Sequence, residues 1–235
     1  MLKRIILVQA NSLKPSRSLK NNMNKFYLNG SSGKMGQIIL NISKKYNFIK
    51  ENSIEASDVV IDFSHPSSID NITYECVLNN KPLVIGTTGL SNENYLTMQK
   101  ASRKIPILYA SNFSNGILAL KKSILDFLVN SDDKYHCEIE EVHHNQKKDF
   151  PSGTAFDIRR FINTNDKNNL IKSLKITSIR EGDIFGVHKI FFNNEEQNHC
   201  FKHEALSREA FASGALISAK KILELKPNLY SIDKF

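Results

Sequence analysis

The sixteen residues from Val142 to Asp157, VHHNQKKDFPSGTAFD, put two adjacent imidazoles, two lysines, the carboxylate of Asp149 and a Pro-Ser-Gly-Thr turn into one short segment. These are proton donors and anion binders. Pro151 is unsuited to a helix interior, whereas Ser152, Gly153 and Thr154 suit a helix N-terminus ahead of AFDIRRFI. Such a terminus presents unpaired backbone N–H groups and the positive end of the helix dipole to an anion. His143, His144 and Lys147 stand close by in sequence, and an imidazole is the side chain best suited to passing a proton near neutral pH. A solvated His-Lys turn and an ordinary helix cap each have a plain structural explanation. Their combination points to a site.

A second set of residues suits a dinucleotide. Lys25 to Asn29 (KFYLN) reads as a strand and runs into Gly30-Ser31-Ser32-Gly33-Lys34-Met35-Gly36, after which Ile38, Ile39, Ile42 and Tyr46 fit one face of a helix. The spacing is G-x-x-G-x-x-G, not G-x-G-x-x-G. Such a turn still lets the backbone approach a pyrophosphate, although a tight strand-to-helix turn has the same signature. Glu51 and Glu55, near the end of a short second strand within Phe48 to Ile54, are the candidate acids for a ribose.

The elements that must position these groups alternate. Asp58 to Phe63, Leu83 to Gly86 and Ile107 to Ala110 read as buried parallel strands, separated by helices over Ser67 to Leu78 and Asn92 to Arg103. In a parallel sheet the carboxyl edge carries the ligand. Three polar loops reach that edge: Phe63 to Pro66, Gly86-Thr87-Thr88-Gly89, and Ala110-Ser111-Asn112-Phe113-Ser114. Gly116 to Val129 is an amphipathic helix, and Tyr135 to His143 alternates as a strand. In it His136, Glu138 and Glu140 share one face against Cys137, Ile139 and Glu141. Those carboxylates read as a solvated or interface face. Leu174 to Arg180, Val187 to Phe192 and Gln197 to Ala205 are further strands without βα alternation, which predicts a second, mostly antiparallel layer. Ser207 to Leu225 is a long helix with small residues at Ala212 to Ala215.

At 235 residues and 40% apolar composition the chain can bury a substantial core. The net charge of +8 is concentrated: Lys3, Arg4, Lys14, Arg17 and Lys20 stand in residues 1–22 without an acid, and the remainder carries +3. With no aromatic-interleaved basic stripe, a nucleic-acid partner is not expected. Residues 1–22 are a basic extension or an upstream start before Met23. Cys76, Cys137 and Cys200 have no metal-ligand spacing and are expected to be inert core thiols in a cytoplasmic protein; no metal is expected. No apolar run approaches the roughly 18 to 20 residues that span a bilayer, so no membrane partner is expected.

GSSGKMG after the first strand, VVIDFS, VIGTTG, ASNFS, HHxxKxDxPSGTA, R-E-G-D-I-x-G-x-H and SREAFASGA together resemble the 4-hydroxy-tetrahydrodipicolinate (dihydrodipicolinate) reductase family, from about Lys25 to the C-terminus. The resemblance implies a homotetrameric NADH- or NADPH-dependent oxidoreductase of diaminopimelate and lysine biosynthesis acting on a dicarboxylate. Its fold would be α/β, with a Rossmann-like parallel-sheet dinucleotide-binding domain and a smaller α+β domain holding a mixed or antiparallel open sheet. The expected division is 23–114 for the dinucleotide, 115–210 for substrate binding and oligomerisation, and 211–235 for a C-terminal helix and tail returning to the first domain.

Carried over by position, the resemblance makes His143 the proton donor/acceptor and Lys147 the second proton donor. His144, Ser152, Gly153 and Thr154 would hold substrate carboxylates. Gly30, Ser31, Ser32, Gly33, Lys34, Met35, Gly86, Thr87, Thr88, Ala110, Ser111, Asn112 and Phe113 would contact the dinucleotide. Three departures stand out: a short stretch before DVVIDF, His65 at a commonly basic position, and a trimmed loop before Leu174. They motivate an alternative, a non-catalytic dinucleotide-binding module.

Overall fold

The computed structural model describes residues 23–232; the basic segment 1–22 lies outside them. Six parallel strands form the first sheet in the order β10-β5-β4-β3-β1-β2. They are β1 (Asn24–Asn29), β2 (Phe48–Lys50), β3 (Val59–Asp62), β4 (Leu83–Ile85), β5 (Pro106–Tyr109) and β10 (Asn228–Ser231). β3 and β4 are buried at every position, as strands covered on both faces must be. Alternation sends Phe26, Leu28, Ile61, Val84 and Leu108 to a face packed by α1 (Lys34–Ile42) and α6 (Glu209–Ile222). Val60, Leu83, Ile85 and Ile107 pack the other face against α2 (Ile69–Leu78) and α3 (Asn92–Ala101).

The chain leaves this sheet after β5 through α4 (Asn115–Asn130) and builds a second sheet in the order β7-β6-β8-β9. These strands are β6 (Tyr135–His143), β7 (Ile171–Arg180), β8 (Val187–Asn193) and β9 (Asn198–Glu204). Helices α4 and α5 (Gly153–Asn165) cover one face of it, closing a separate core around Ile139, Ile158, Ile190 and Phe192. The buried Lys121 ammonium on α4 meets Asp157 on α5 at 2.5 Å and pins the two helices together. The chain then returns through α6, and β10 pairs with β5.

The second sheet falls within the expected mixed or antiparallel class, but the expected lack of βα alternation in it is corrected. The segment β6-α5-β7 is a further parallel βα unit, so the sheet is mixed, with antiparallel pairing confined to β6-β8 and β8-β9. β7 also starts earlier, at Ile171. Its half-exposed, Lys- and Ser-containing start lacks the apolar run that marks a buried parallel strand. The thiols need a correction too. Cys76 and Cys137 are buried and desolvation raises both, Cys137 to about 12, but Cys200 is exposed on β9.

Candidate active site

The carboxyl ends of β1, β3, β4 and β5 deliver the predicted loops to one edge. At Gly30, φ is +84° and a Cβ would lie 2.1 Å from the Phe63 carbonyl oxygen, so only glycine lets the β1 turn approach β3. Gly33 begins α1 with no side-chain cap and no acid in the first turn. Its exposed N–H groups are therefore open to an anion, and the turn fits a dinucleotide pyrophosphate. Beneath the edge, the buried Asp62 carboxylate accepts from Asn29 at 2.7 Å, from Ser64 at 2.5 Å and from Thr87 at 2.5 Å, knotting three loops together.

The second sheet delivers the other half. His143 ends β6, and a loop through Lys147 and the cis Phe150–Pro151 peptide leads into α5. Met35, Gly86, Thr88, Ser111, Asn112 and Phe113 face His143, His144, Lys147 and Thr154 across one cleft, with Phe185, Arg208 and Phe211 on its wall. The halves touch where the Asn112 amide donates to Thr154 Oγ1 at 3.0 Å. Gly30, Ser31, Ser32, Gly33 and Lys34 lie at the start of α1 beside Met35, outside the lining residues. Ala110 and Gly153 instead line an adjoining cavity with Tyr109 and Tyr230.

Two residues are committed within the fold. Thr87 Oγ1 accepts from the Ser64 N–H while donating to Asp62, and Ser152 Oγ accepts from the Ala155 N–H as the cap of α5. Asp149, to which the sequence assigns no role, accepts from Lys147 Nζ at 2.7 Å and from the Gly153 N–H at 3.3 Å. Its carboxylate sits on the two donors expected to meet a substrate carboxylate. Burial, then the neighbouring cations Arg208 and Lys147, lower the pKa of His144, because each disfavours a charge on that imidazole.

Glu141 escaped the sequence reading as a functional residue. It is fully buried; one oxygen accepts from Arg180 at 2.9 Å and from the Ser152 N–H at 3.2 Å, and the other pairs with His143 Nδ1. Burial raises its pKa, yet hydrogen bonds from His143 and Arg180 outweigh that and bring it to about 2. The signal was its position: period two puts Glu141 on the inward face with Cys137 and Ile139, where an unpaired carboxylate would be costly. Arg180 also donates to the Lys147 and Asp149 carbonyls, tying β7 to the loop.

His188, on β8, stands 5.2 Å from the His143 ring, and burial pushes its pKa down to about 3. Glu141, His143 and His188 bring one ligand atom each within 4.8 Å, but Arg180 on the same carboxylate opposes a divalent cation there. The shift has a sign. Between pH 6.5 and about 3 the unfolded chain holds a proton on His188 that the folded chain does not. This contribution is complete above 6.5 and is lost as pH falls toward 3. Denaturant titrations at pH 7 and pH 5 should show His188→Asn losing about 2 kcal/mol less than the parent over that step. Equal losses would sink this account.

Family comparisons match this architecture. Residues 40–113 match "Dihydrodipicolinate reductase, N-terminus" and residues 116–235 match "Dihydrodipicolinate reductase, C-terminus". The chain belongs to the dihydrodipicolinate reductase family. A 4-hydroxy-tetrahydrodipicolinate reductase of Bdellovibrio bacteriovorus is 35% identical over 223 residues, covering 88% of this chain and 94% of the relative. That of Thermosipho africanus is 36% identical over 215 residues, covering 88% and 95%. Among solved structures, the dipicolinate-bound dihydrodipicolinate reductase of Paenisporosarcina shares the fold at TM-score 0.66 and 22% identity, covering 89% of this chain and 97% of that one. Family and fold together imply a nicotinamide dinucleotide cofactor. No helix among the described residues is long and apolar enough to cross a membrane.

Proposed function

We propose that the cleft between the two sheets is where this dihydrodipicolinate reductase family member reduces 4-hydroxy-tetrahydrodipicolinate to tetrahydrodipicolinate, in diaminopimelate and lysine biosynthesis. The carrying observation is that His143, His144, Lys147 and Thr154 share one cleft with Met35, Gly86, Asn112 and Phe113. Proton-handling and anion-binding groups thereby face the dinucleotide loops. In balance, the substrate loses water and takes up one hydride and one proton. When bound, the reduced nicotinamide supplies the hydride. His143 then supplies the proton that answers the charge left in the conjugated C=C–C=N system, with Lys147 as second donor. His144, Thr154 and the first turn of α5 hold the carboxylates. Ser152, Gly30 to Gly33, Lys34 and Thr87 shape the two binding surfaces. The proposed division is 23–114 for the dinucleotide, 115–210 for substrate and self-association, and 211–235 for the return.

For the cofactor we propose NADH over NADPH. The groove between α2 and the loop after β2 is lined by Glu55, Glu75, Asn52, Ser53 and Asn71, and among the described residues no Lys or Arg lines it. A ribose 2′-phosphate would meet carboxylates there. Glu51 is turned away, pairing with Lys25 at 2.9 Å. A homotetramer in the cytoplasm completes the proposal. It is supported by the ten-residue β7 at the edge of the second sheet and by three free thiols.

The test couples purified protein to the aldol product of pyruvate and aspartate semialdehyde, with each cofactor in turn. Substrate-dependent oxidation is expected, with kcat/KM at least ~10-fold higher for NADH and the gap narrowed by Glu55→Lys. Thermal stabilisation by NADH without any turnover would establish a binding module instead.

A further inference from the structure

We propose that Glu141 is the positioning residue that fixes the tautomer of His143, so that His143 Nε2 alone exchanges the proton. This rests on the functional reading above and adds a residue that the reading does not use. The Glu141 carboxylate is buried on β6, two residues from the imidazole it pairs with, and its oxygens have different surroundings. Oε1 takes two donors, the Arg180 guanidinium at 2.9 Å and the Ser152 N–H at 3.2 Å. Oε2 faces His143 Nδ1. A carboxylate only accepts, so Nδ1 must carry hydrogen and the neutral ring keeps its lone pair on Nε2.

The opposite ring edge is arranged to match. A Cβ on Gly186 would come within 3.0 Å of His143 Nε2, so the glycine keeps that nitrogen uncrowded at the mouth of the cleft. His188 from β8 packs edge-on against the ring at 5.2 Å. The other charged or titratable groups around the ring are Arg180 from β7, His144, Lys147 and its partner Asp149 from the loop, and Arg208 at the start of α6. Glu141 is the anion bonded directly to the ring, whereas the Asp149 carboxylate is taken up by Lys147 and the Gly153 N–H.

The same asymmetry makes Glu141→Gln a selective test. Arg180 and the Ser152 N–H both donate, so the amide must turn its carbonyl toward them and its NH2 toward His143. Nδ1 then becomes an acceptor and the proton moves to Nε2. The variant keeps the bonds that hold α5 and the loop, and its melting temperature checks this. In 15N-histidine-labelled protein without substrate, the His143 signals are expected to report Nδ1–H in the parent and Nε2–H in Glu141→Gln.

In turnover kcat should fall roughly a hundredfold or more with KM within about threefold. Glu141→Asp, which restores the carboxylate, should recover part of kcat and return the Nδ1–H tautomer. Identical tautomers in parent and Gln variant, or a flipped tautomer with unchanged kcat, would overturn the proposal. Turnover that survives His143→Gln would instead overturn the functional reading, whereas the NMR comparison is independent of activity.

Discussion

His143→Ala and Lys147→Ala are each expected to lower kcat by about a thousandfold, the middle of the range for removing a positioned general acid. The two should differ in KM. His143 is 7% exposed and its Nδ1 is tied to Glu141, so its free edge is available for proton transfer more than for binding, and its loss should leave KM close to the parent value. Lys147 shares the Asp149 carboxylate with the Gly153 N–H, at 2.7 and 3.3 Å. Substrate binding on these donors would exchange one carboxylate for another, so removing the ammonium should raise KM as well as lower kcat. The double variant should be little slower than the worse single one, because the two groups serve one proton delivery. Steady-state rates with NADH and the aldol product decide this, with NADH binding as the control for folding. Turnover within a few-fold of the parent in both single variants would remove both residues from the chemistry.

The parallel sheet was legible because β3, β4 and β5 are short apolar runs spaced by helical patterns, and few folds bury such runs on both faces. The site's outline was legible for a related reason: the residues before α5 combine a cap, a cation and imidazoles in a way that packing alone does not require. What escaped was long-range. β10, Asn228–Ser231, is only partly apolar and becomes a strand by pairing with β5. Arg180 ends an edge strand and gains its role only because β6 and β7 lie in parallel register, which sets it opposite His143 and within reach of Glu141. Arg208 and Phe211 reach the cleft through the packing of α6 on the first sheet, which no local pattern encodes. The ribose contact stays illegible because β2 is three residues long, and Glu51 follows it directly and turns to Lys25.

The packing of α6 carries the second large effect. A Cβ on Gly214 would lie 1.8 Å from the Phe113 carbonyl oxygen and 2.8 Å from its carbonyl carbon, far inside any contact a methyl group can make. The opposing atoms are backbone, so no side chain can swing aside. Either α6 must rise from the sheet, opening the core of Leu108, Ala212, Ala215 and Leu216, or the loop after β5 must shift. A moving loop carries with it Phe113, whose ring packs 5.7 Å from that of Phe63, and Asn112, whose amide reaches Thr154. Alanine is the better helix former by about 1 kcal/mol, too little to offset overpacking of this kind, so Gly214→Ala should destabilise by about 3 kcal/mol. It should also weaken NADH binding at least tenfold, since the displaced loop forms one wall of the cleft. Ser213→Ala, one residue away and bonded back to the Ala210 carbonyl, should change stability by less than about 0.5 kcal/mol. Denaturant melts and NADH titrations of the two variants side by side measure both quantities. A Gly214→Ala protein as stable as Ser213→Ala would mean that α6 and the loop do not meet at this distance in solution.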